Sequence, residues 1–247
     1  MNKLPAITLL FWIMKICATS LGETAGDLLS MTLNVGYAVS SLILIGVFFA
    51  SLVSQLLTNK YHPVLYWTVI LSTSTAGTTM SDYMDRTLAL GYVYGSLLLI
   101  CALATVLTVW RLTERSLSVT NITTRRAELF YWTAILFSNT LGTAFGDFLA
   151  DSSGLGFAGG ALVISGLLTL TVLAKYFTSI STILLFWVAF VLTRPFGATA
   201  GDLLTKTHEK GGLGFGTVGS SLVLFTILAV LILHTNRIQR ATVRAGQ

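Results

Sequence analysis

Four aspartates stand at matching places along this chain. Asp27, Asp82, Asp147 and Asp202 each follow a tryptophan (Trp12, Trp67, Trp132 and Trp187) by 15 residues, with Gly22, Gly77, Gly142 or Gly197 between them. The residue before each Asp is Gly26, Ser81, Gly146 or Gly201. Each carboxylate closes an apolar stretch, and an ionised carboxylate in lipid is costly unless something polar faces it. Counting back in helical steps shows what accompanies it. Four residues earlier stand Glu23, Thr78, Thr143 and Ala198, and eight earlier stand Thr19, Ser74, Asn139 and Arg194. Steps of four and eight stay on one helical face, so each stretch carries a polar stripe that ends in its Asp.

Carboxylates set among hydroxyl and amide oxygens suit a hard cation such as manganese, magnesium or calcium, or a proton in transit. The expected ligands are Glu23, Asp27, Asp82, Asp147 and Asp202, supported by Thr19, Thr78, Asn139 and Thr143. Without Cys or His in the stripe, no zinc or copper site is expected. Lys15, Glu23 and Arg194 carry a further signal, because they break the fourfold pattern and duplication does not account for them. Lys15 and Arg194 are expected to set local charge, either by pairing Lys15 with Glu23 or by pairing Arg194 with a carboxylate of another repeat. An enzyme is not expected: there is no HExxH motif or nucleophile–base set, and an aspartate dyad would lie too shallow.

These stripes need helices to hold them. The chain has 247 residues, 54% hydrophobic and only 10% charged, with a mean hydropathy of +0.80. Such a composition marks a polytopic membrane protein. Eight spans are expected near 5–27, 36–57, 63–82, 90–111, 128–148, 156–175, 183–202 and 213–234. The first opens like a signal peptide, but it carries Lys15, Glu23 and Asp27 and matches three later copies, so it reads as a retained helix.

The spans group into four two-helix repeats, 1–62, 63–127, 128–182 and 183–247. Each second helix opens on Gly36-Tyr37, Gly91-Tyr92, Gly156-Phe157 or Gly214-Phe215, and small residues follow that would let backbones approach closely. Two spans per repeat make all four repeats parallel, with a pseudo-symmetry axis along the membrane normal. Basic residues set the orientation. Lys3, Lys60, Arg111, Arg115, Arg125, Arg126, Lys175, Arg237, Arg240 and Arg244 fall at one end, against Arg86, Lys206 and Lys210 at the other. The positive-inside rule then places both termini in the cytoplasm. The net charge of +5 follows from those loops and requires no nucleic-acid partner.

The fourfold Trp-Gly-Asp register resembles a family of bacterial membrane proteins built from four tandem two-helix repeats, each with a characteristic Trp, a repeat of unknown function. The resemblance spans essentially the whole chain. It implies the repeat architecture and an inner-membrane location, and it brings neither substrate nor reaction.

Remaining residues read more simply. The four repeat Trp and Trp110 are expected to anchor helix ends at the membrane interface. Cys17 and Cys101 are packing residues, and the three His are scattered. Asn121-Ile122-Thr123 has the form of a glycosylation acceptor but falls in a cytoplasmic connection. The expected protein is an all-α, eight-helix secondary transporter that moves an ion between polar faces of its odd-numbered helices. Two alternatives stand beside it: a non-transporting module whose Asp residues tie repeats together, and a proton-coupled anion transporter using Lys15 and Arg194.

Overall fold

The computed structural model describes residues 4–119, 122 and 124–245, with side chains to residue 239. Lys3, Asn121 and Thr123 lie outside the described residues, as do the side chains of Arg240 and Arg244. Eight long α-helices follow one another: α1 Leu9–Asp27, α2 Tyr37–Leu57, α3 Pro63–Asp82, α4 Gly91–Glu114, α5 Arg125–Asp147, α6 Gly156–Phe177, α7 Thr182–Thr205 and α8 Gly216–Ala245. Their starts have local causes. The Thr8 hydroxyl accepts the Phe11 amide at 3.3 Å, Pro63 opens α3, and the Thr124 hydroxyl accepts the Ala127 amide at 3.0 Å. Each satisfies or removes an amide that a helix start leaves without a partner.

The four Asp residues do not sit in turns. In the first three repeats the helix continues past Asp as a five-residue π-helical turn: Leu28–Thr32, Tyr83–Thr87 and Phe148–Ser152. In the fourth, α7 runs on to Thr205. Such wider turns are rare and concentrate at functional sites. The chain then reverses through Gly36, Gly91, Gly156 and Gly214, all at positive φ between +66° and +81°. That is the reason a glycine recurs there, because left-handed backbone favours glycine. A Cβ at Gly36, Gly91 or Gly156 would meet nothing within 4 Å, so close packing is not the cause.

The odd-numbered helices form a closed ring, α1 against α3, α3 against α5, α5 against α7 and α7 against α1. The even-numbered helices pack outside, each mainly on the next odd helix rather than on its own hairpin partner: α2 on α3, α4 on α5, α6 on α7 and α8 on α1. The outer faces are apolar and exposed, as with Leu42, Leu97, Leu162 and Leu222. Five helices, α2, α4, α6, α7 and α8, are long and apolar enough to cross a membrane. The other three, α1, α3 and α5, carry polar stripes and form the ring together with α7.

Small residues four apart make the ring tight. Gly22 and Gly26, Gly77 and Ser81, Gly142 and Gly146, and Gly197 and Gly201 each form a small-xxx-small pair, the pattern that lets helix backbones touch in membranes. A Cβ at Gly22 would strike Ser74, at Gly142 Arg194 and at Gly197 Thr19. A Cβ at Gly77 would lie 2.9 Å from the Thr140 backbone nitrogen. Each repeat thus presses its glycine against the polar stripe of the next, and the fourth closes onto the first.

At the Trp end the ring is shut by aromatic rings. Trp67, Trp110 and Trp132 are at most 1% exposed, and Trp187 is buried with its indole N–H donating to the Leu117 carbonyl at 3.1 Å. Interface anchoring is therefore not their role: these indoles face protein, packed with Tyr66 and Tyr131. Trp12 alone of the repeat Trp residues is half-buried. A Trp at a helix start looks the same in sequence whether it faces lipid or a neighbouring helix.

This packing predicts opposite outcomes for two Gly→Ala changes. Gly77→Ala should lower the thermal unfolding midpoint of the purified protein by several degrees, because a backbone atom blocks the new methyl. Gly166→Ala, on α6 with nothing within 4 Å, should leave it unchanged or raise it slightly, by up to about 1 kcal/mol of helix propensity. Equal effects would show that the glycine pairs do not set the ring's closeness.

Candidate functional site

The four polar stripes turn inward and stack as layers along the ring axis. Among their members Lys15, Thr19, Ser74, Thr78, Asn139, Thr143 and Arg194 are fully buried, and Glu23 and the four Asp residues are 3–4% exposed. Nearest the Trp end, the Tyr66 and Tyr131 hydroxyls meet at 2.7 Å. Next comes the layer of Lys15 with Ile70, Ile135 and Phe190, then that of Thr19, Ser74, Asn139 and Arg194. Glu23, Thr78 and Thr143 follow with Ala198, and the Asp layer closes the series. Four-residue steps on four packed helices produce this order directly.

Arg194 is the hub. Its guanidinium lies 2.9 Å from the Glu23 carboxylate and donates to the Thr78 hydroxyl at 2.5 Å and the Thr143 hydroxyl at 2.6 Å. It also donates to the Thr19 and Ser74 carbonyls at 3.5 and 3.4 Å. One side chain from α7 therefore binds α1, α3 and α5 together. Thr78 and Thr143 in turn stand 3.2 and 3.5 Å from Glu23 Oε2. Pro195 sits inside α7 just after this arginine.

Lys15 does not pair with Glu23. Its ammonium donates to Asn139 Oδ1 at 3.4 Å and lies 4.1 Å from the centre of the Phe190 ring, a cation–π contact. Asn139 completes the bridge by donating to the Thr73 hydroxyl at 2.9 Å. Of the two expected pairings, the one between repeats is found. The Thr19 hydroxyl is directed to backbone carbonyls, including that of Thr193 at 3.2 Å, so Thr19 serves the axis only through its carbonyl.

The Asp layer is held by two cations read in the sequence as loop charges. Arg86 bridges Asp82 at 2.9 Å and Asp147 at 3.2 Å. Lys206 bridges Asp27 at 2.6 Å and Asp202 at 3.0 Å. Both follow their own Asp by four residues, and that spacing is the signal that could have identified them. The equivalent positions in the other repeats are Met31 and Asp151, so two cations serve four carboxylates across two opposite seams. Burial disfavours charge on Lys206, but Asp202 and Asp27 outweigh it and hold its ammonium well above the ordinary lysine value. For Arg86, burial is likewise outweighed by Asp82 and Asp147. Both lie beyond the ends of α3 and α7, and both stay charged throughout the physiological range.

Three carboxylates from different helices converge further. Oxygens of Glu23, Asp147 and Asp202 all lie within 4.8 Å of one another. These are the residues that could share a hard cation, with the Thr78 and Thr143 hydroxyls beside them. Asp27 and Asp82 stand one clamp away.

The buried Arg194–Glu23 pair predicts strong non-additivity. Glu23→Gln or Arg194→Gln alone should cost roughly 3–5 kcal/mol by leaving one dehydrated charge without its partner. The double substitution should cost clearly less than the sum, read as unfolding midpoints of the purified variants; additive losses would mean the two side chains act separately. Among known proteins, no curated protein and no solved structure matches this chain. The model of one family does, in four successive segments, 10–61, 65–116, 130–181 and 185–241, each holding one odd helix and the even helix after it. With most of its length divided among these copies, the chain belongs to the family described as Repeat of Unknown Function (DUF347).

Proposed function

We propose that this protein is a small secondary transporter whose cargo, a hard cation or a proton, travels along the axis of the odd-helix ring. The observation that carries this reading is the unbroken column of buried charge in the ring. Five carboxylates and the two cations Lys15 and Arg194 lie buried within it, with Arg86 and Lys206 over its Asp end, and ionisable groups at membrane depth are expensive and mark ion or proton paths. All eight helices cross the bilayer in this reading. The ring helices α1, α3 and α5 have 19, 20 and 23 residues, enough for a core of about 30 Å. The four repeats are then parallel about an axis along the membrane normal. In this reading both termini lie on the cytoplasmic side of a bacterial inner membrane, which the basic residues at the Trp end support.

In this reading Glu23, Asp147 and Asp202 bind the cargo, and Asp27 and Asp82 receive it from outside. Arg86 and Lys206 are tethered cations that occupy the Asp layer until cargo displaces them. Their side chains are 34% and 19% exposed, against 4–5% for the carboxylates they cover. Solvent thus meets the clamp before it meets the acids. Manganese, magnesium and calcium are the candidate metals, because every oxygen offered is hard. The anion alternative is less well supported: Arg194 is already neutralised by Glu23, which leaves Lys15 as the one axial cation with no carboxylate partner among the described residues. A specific observation favours the structural alternative, since each Asp already has a protein cation beside it.

Reconstitution separates these readings. In proteoliposomes the protein should drive manganese or proton flux along an imposed gradient. Asp147→Asn and the charge-balanced double variant Glu23→Gln/Arg194→Gln should each reduce that flux at least tenfold while retaining the folded elution profile. No flux from the unaltered protein with any of the three metals or with protons would overturn the transport reading. Full flux from the folded double variant would remove Glu23 from the path.

The clamps make a prediction of opposite sign. Lys206→Gln should tighten manganese binding to the purified protein, by about tenfold in a calorimetric titration, because the competing ammonium is gone. Lys206→Gln/Asp202→Asn should not show this gain. Weaker binding by the single variant would mean that Lys206 supports the site instead of occupying it.

A further inference from the structure

A large apolar cavity, of about 700 Å³, lies between α1, α6 and α7 with the 117–119 segment over one end. It arises from the uneven outer layer. α8 lies mainly on α1 and also touches α3 and α7, whereas α6 lies mainly on α7. Trp12 lines it, which is why this Trp is the half-buried one.

Its shape and charge suit one class of ligand. The walls are apolar side chains such as Ile16, Leu168 and Phe186, and Lys175 is the one charged side chain among its described residues, with Tyr176 and Ser118 also in the lining. These polar groups gather at the Trp end, where α6 finishes and α7 begins. From Thr182 to Thr193, both lining it, α7 rises about 16 Å at 1.5 Å per residue. That is half of a hydrocarbon core about 30 Å thick, the depth of one leaflet. Two of its walls, α6 and α7, are helices apolar enough to cross a membrane.

We propose that this groove is a binding site for one anionic phospholipid, with an acyl chain along Ile16 and Leu168 and the phosphate at Lys175. The lipid fills the seam between the first and last repeats, where the ring closes. Its floor reaches Ile16 and Thr193, each adjacent in sequence to a buried cation of the axis, Lys15 and Arg194. The site follows from the groove and its charge and does not depend on what the axis carries.

The test is native mass spectrometry of the delipidated full-length protein. It would be titrated with dioleoylphosphatidylglycerol, and separately with dioleoylphosphatidylcholine. One phosphatidylglycerol should be retained per chain, at least fivefold more tightly than phosphatidylcholine. Lys175→Gln should abolish that preference, and Ala189→Phe, which fills the groove, should remove the tight adduct. Val172→Trp, from an exposed position of α6, gives a second filled groove should Ala189→Phe fail to fold. Equal retention by unaltered protein and by both Lys175→Gln and Val172→Trp would overturn the proposal. So would a dimer that these substitutions dissociate, since a second copy would then be the occupant. Competition by glycerol 3-phosphate as effective as by the lipid would also overturn it, because the acyl chain would then contribute nothing.

Discussion

The ion pair of Arg194 with Glu23 is the interaction on which the ring depends. A guanidinium at the centre of four helices is dehydrated on every side, and such a charge is tolerated only when its donors are met. Here the two terminal nitrogens are met by one carboxylate, two hydroxyls and two carbonyls drawn from α1, α3 and α5, and Nε alone has no partner among the described residues. The planar fork of arginine can reach several helices at once, which a lysine ammonium on a thin stem does less well. Separation of any one of these helices would expose a buried charge, so the hub holds the ring at a fixed radius. The glycine pairs then set how small that radius is. Polar network and close backbone contact are two expressions of one constraint, because the donors of Arg194 reach their partners only when the helices touch.

Sequence repeat and packing unit are out of step by one helix. Each family segment contains an odd helix and the even helix after it, yet each even helix packs mainly on the odd helix of the next repeat. Every repeat therefore lends its second helix to its neighbour, and α8 returns to α1 to complete the cycle. No single repeat could bury its own polar stripe, since the residues that satisfy it belong to others. Closure is what makes four copies a stable number here, much as repeat proteins become stable only when neighbours stack. It also explains why the polar positions tolerate divergence. Thr19, Ser74, Asn139 and Arg194 occupy one position in four repeats, and each meets a glycine of the preceding repeat.

The eight helices and the inward polar faces were legible because helical spacing alone carries them. Asp27, Asp82, Asp147 and Asp202 share a layer in the fold as they share a phase in the sequence, and Glu23 and Arg194 meet between repeats. Lys15 could not be paired correctly from spacing, since its partner Asn139 lies 124 positions away and follows from the order of helices round the ring. Arg86 and Lys206 were hidden for a different reason. Treating each Asp as the end of its helix placed everything after it in loops, whereas the chain stays helical for another turn and carries residue i+4 back over the Asp. The small-xxx-small pairs were present in the sequence too, as Gly22, Gly77, Gly142 and Gly197 each followed four residues later by a Gly or Ser. The tryptophans mark a helix start without saying which way its face turns.

Symmetry in the backbone and asymmetry in the charges have separate consequences. Four identical Asp residues alone would repel one another in a dehydrated layer, and a fourfold set of cations would neutralise them completely. The chain does neither. Two tethered cations, on opposite seams, leave each carboxylate with half a partner and link neighbours in pairs. Glu23 then approaches Asp147 from one clamp and Asp202 from the other, so that a change in either clamp alters the field at the ring centre. Because interactions between charges strengthen as water is excluded, a small displacement of Lys206 or Arg86 has a larger effect there than it would at an exposed surface. The axis thus sets five carboxylates against four cations, one acid more than its bases.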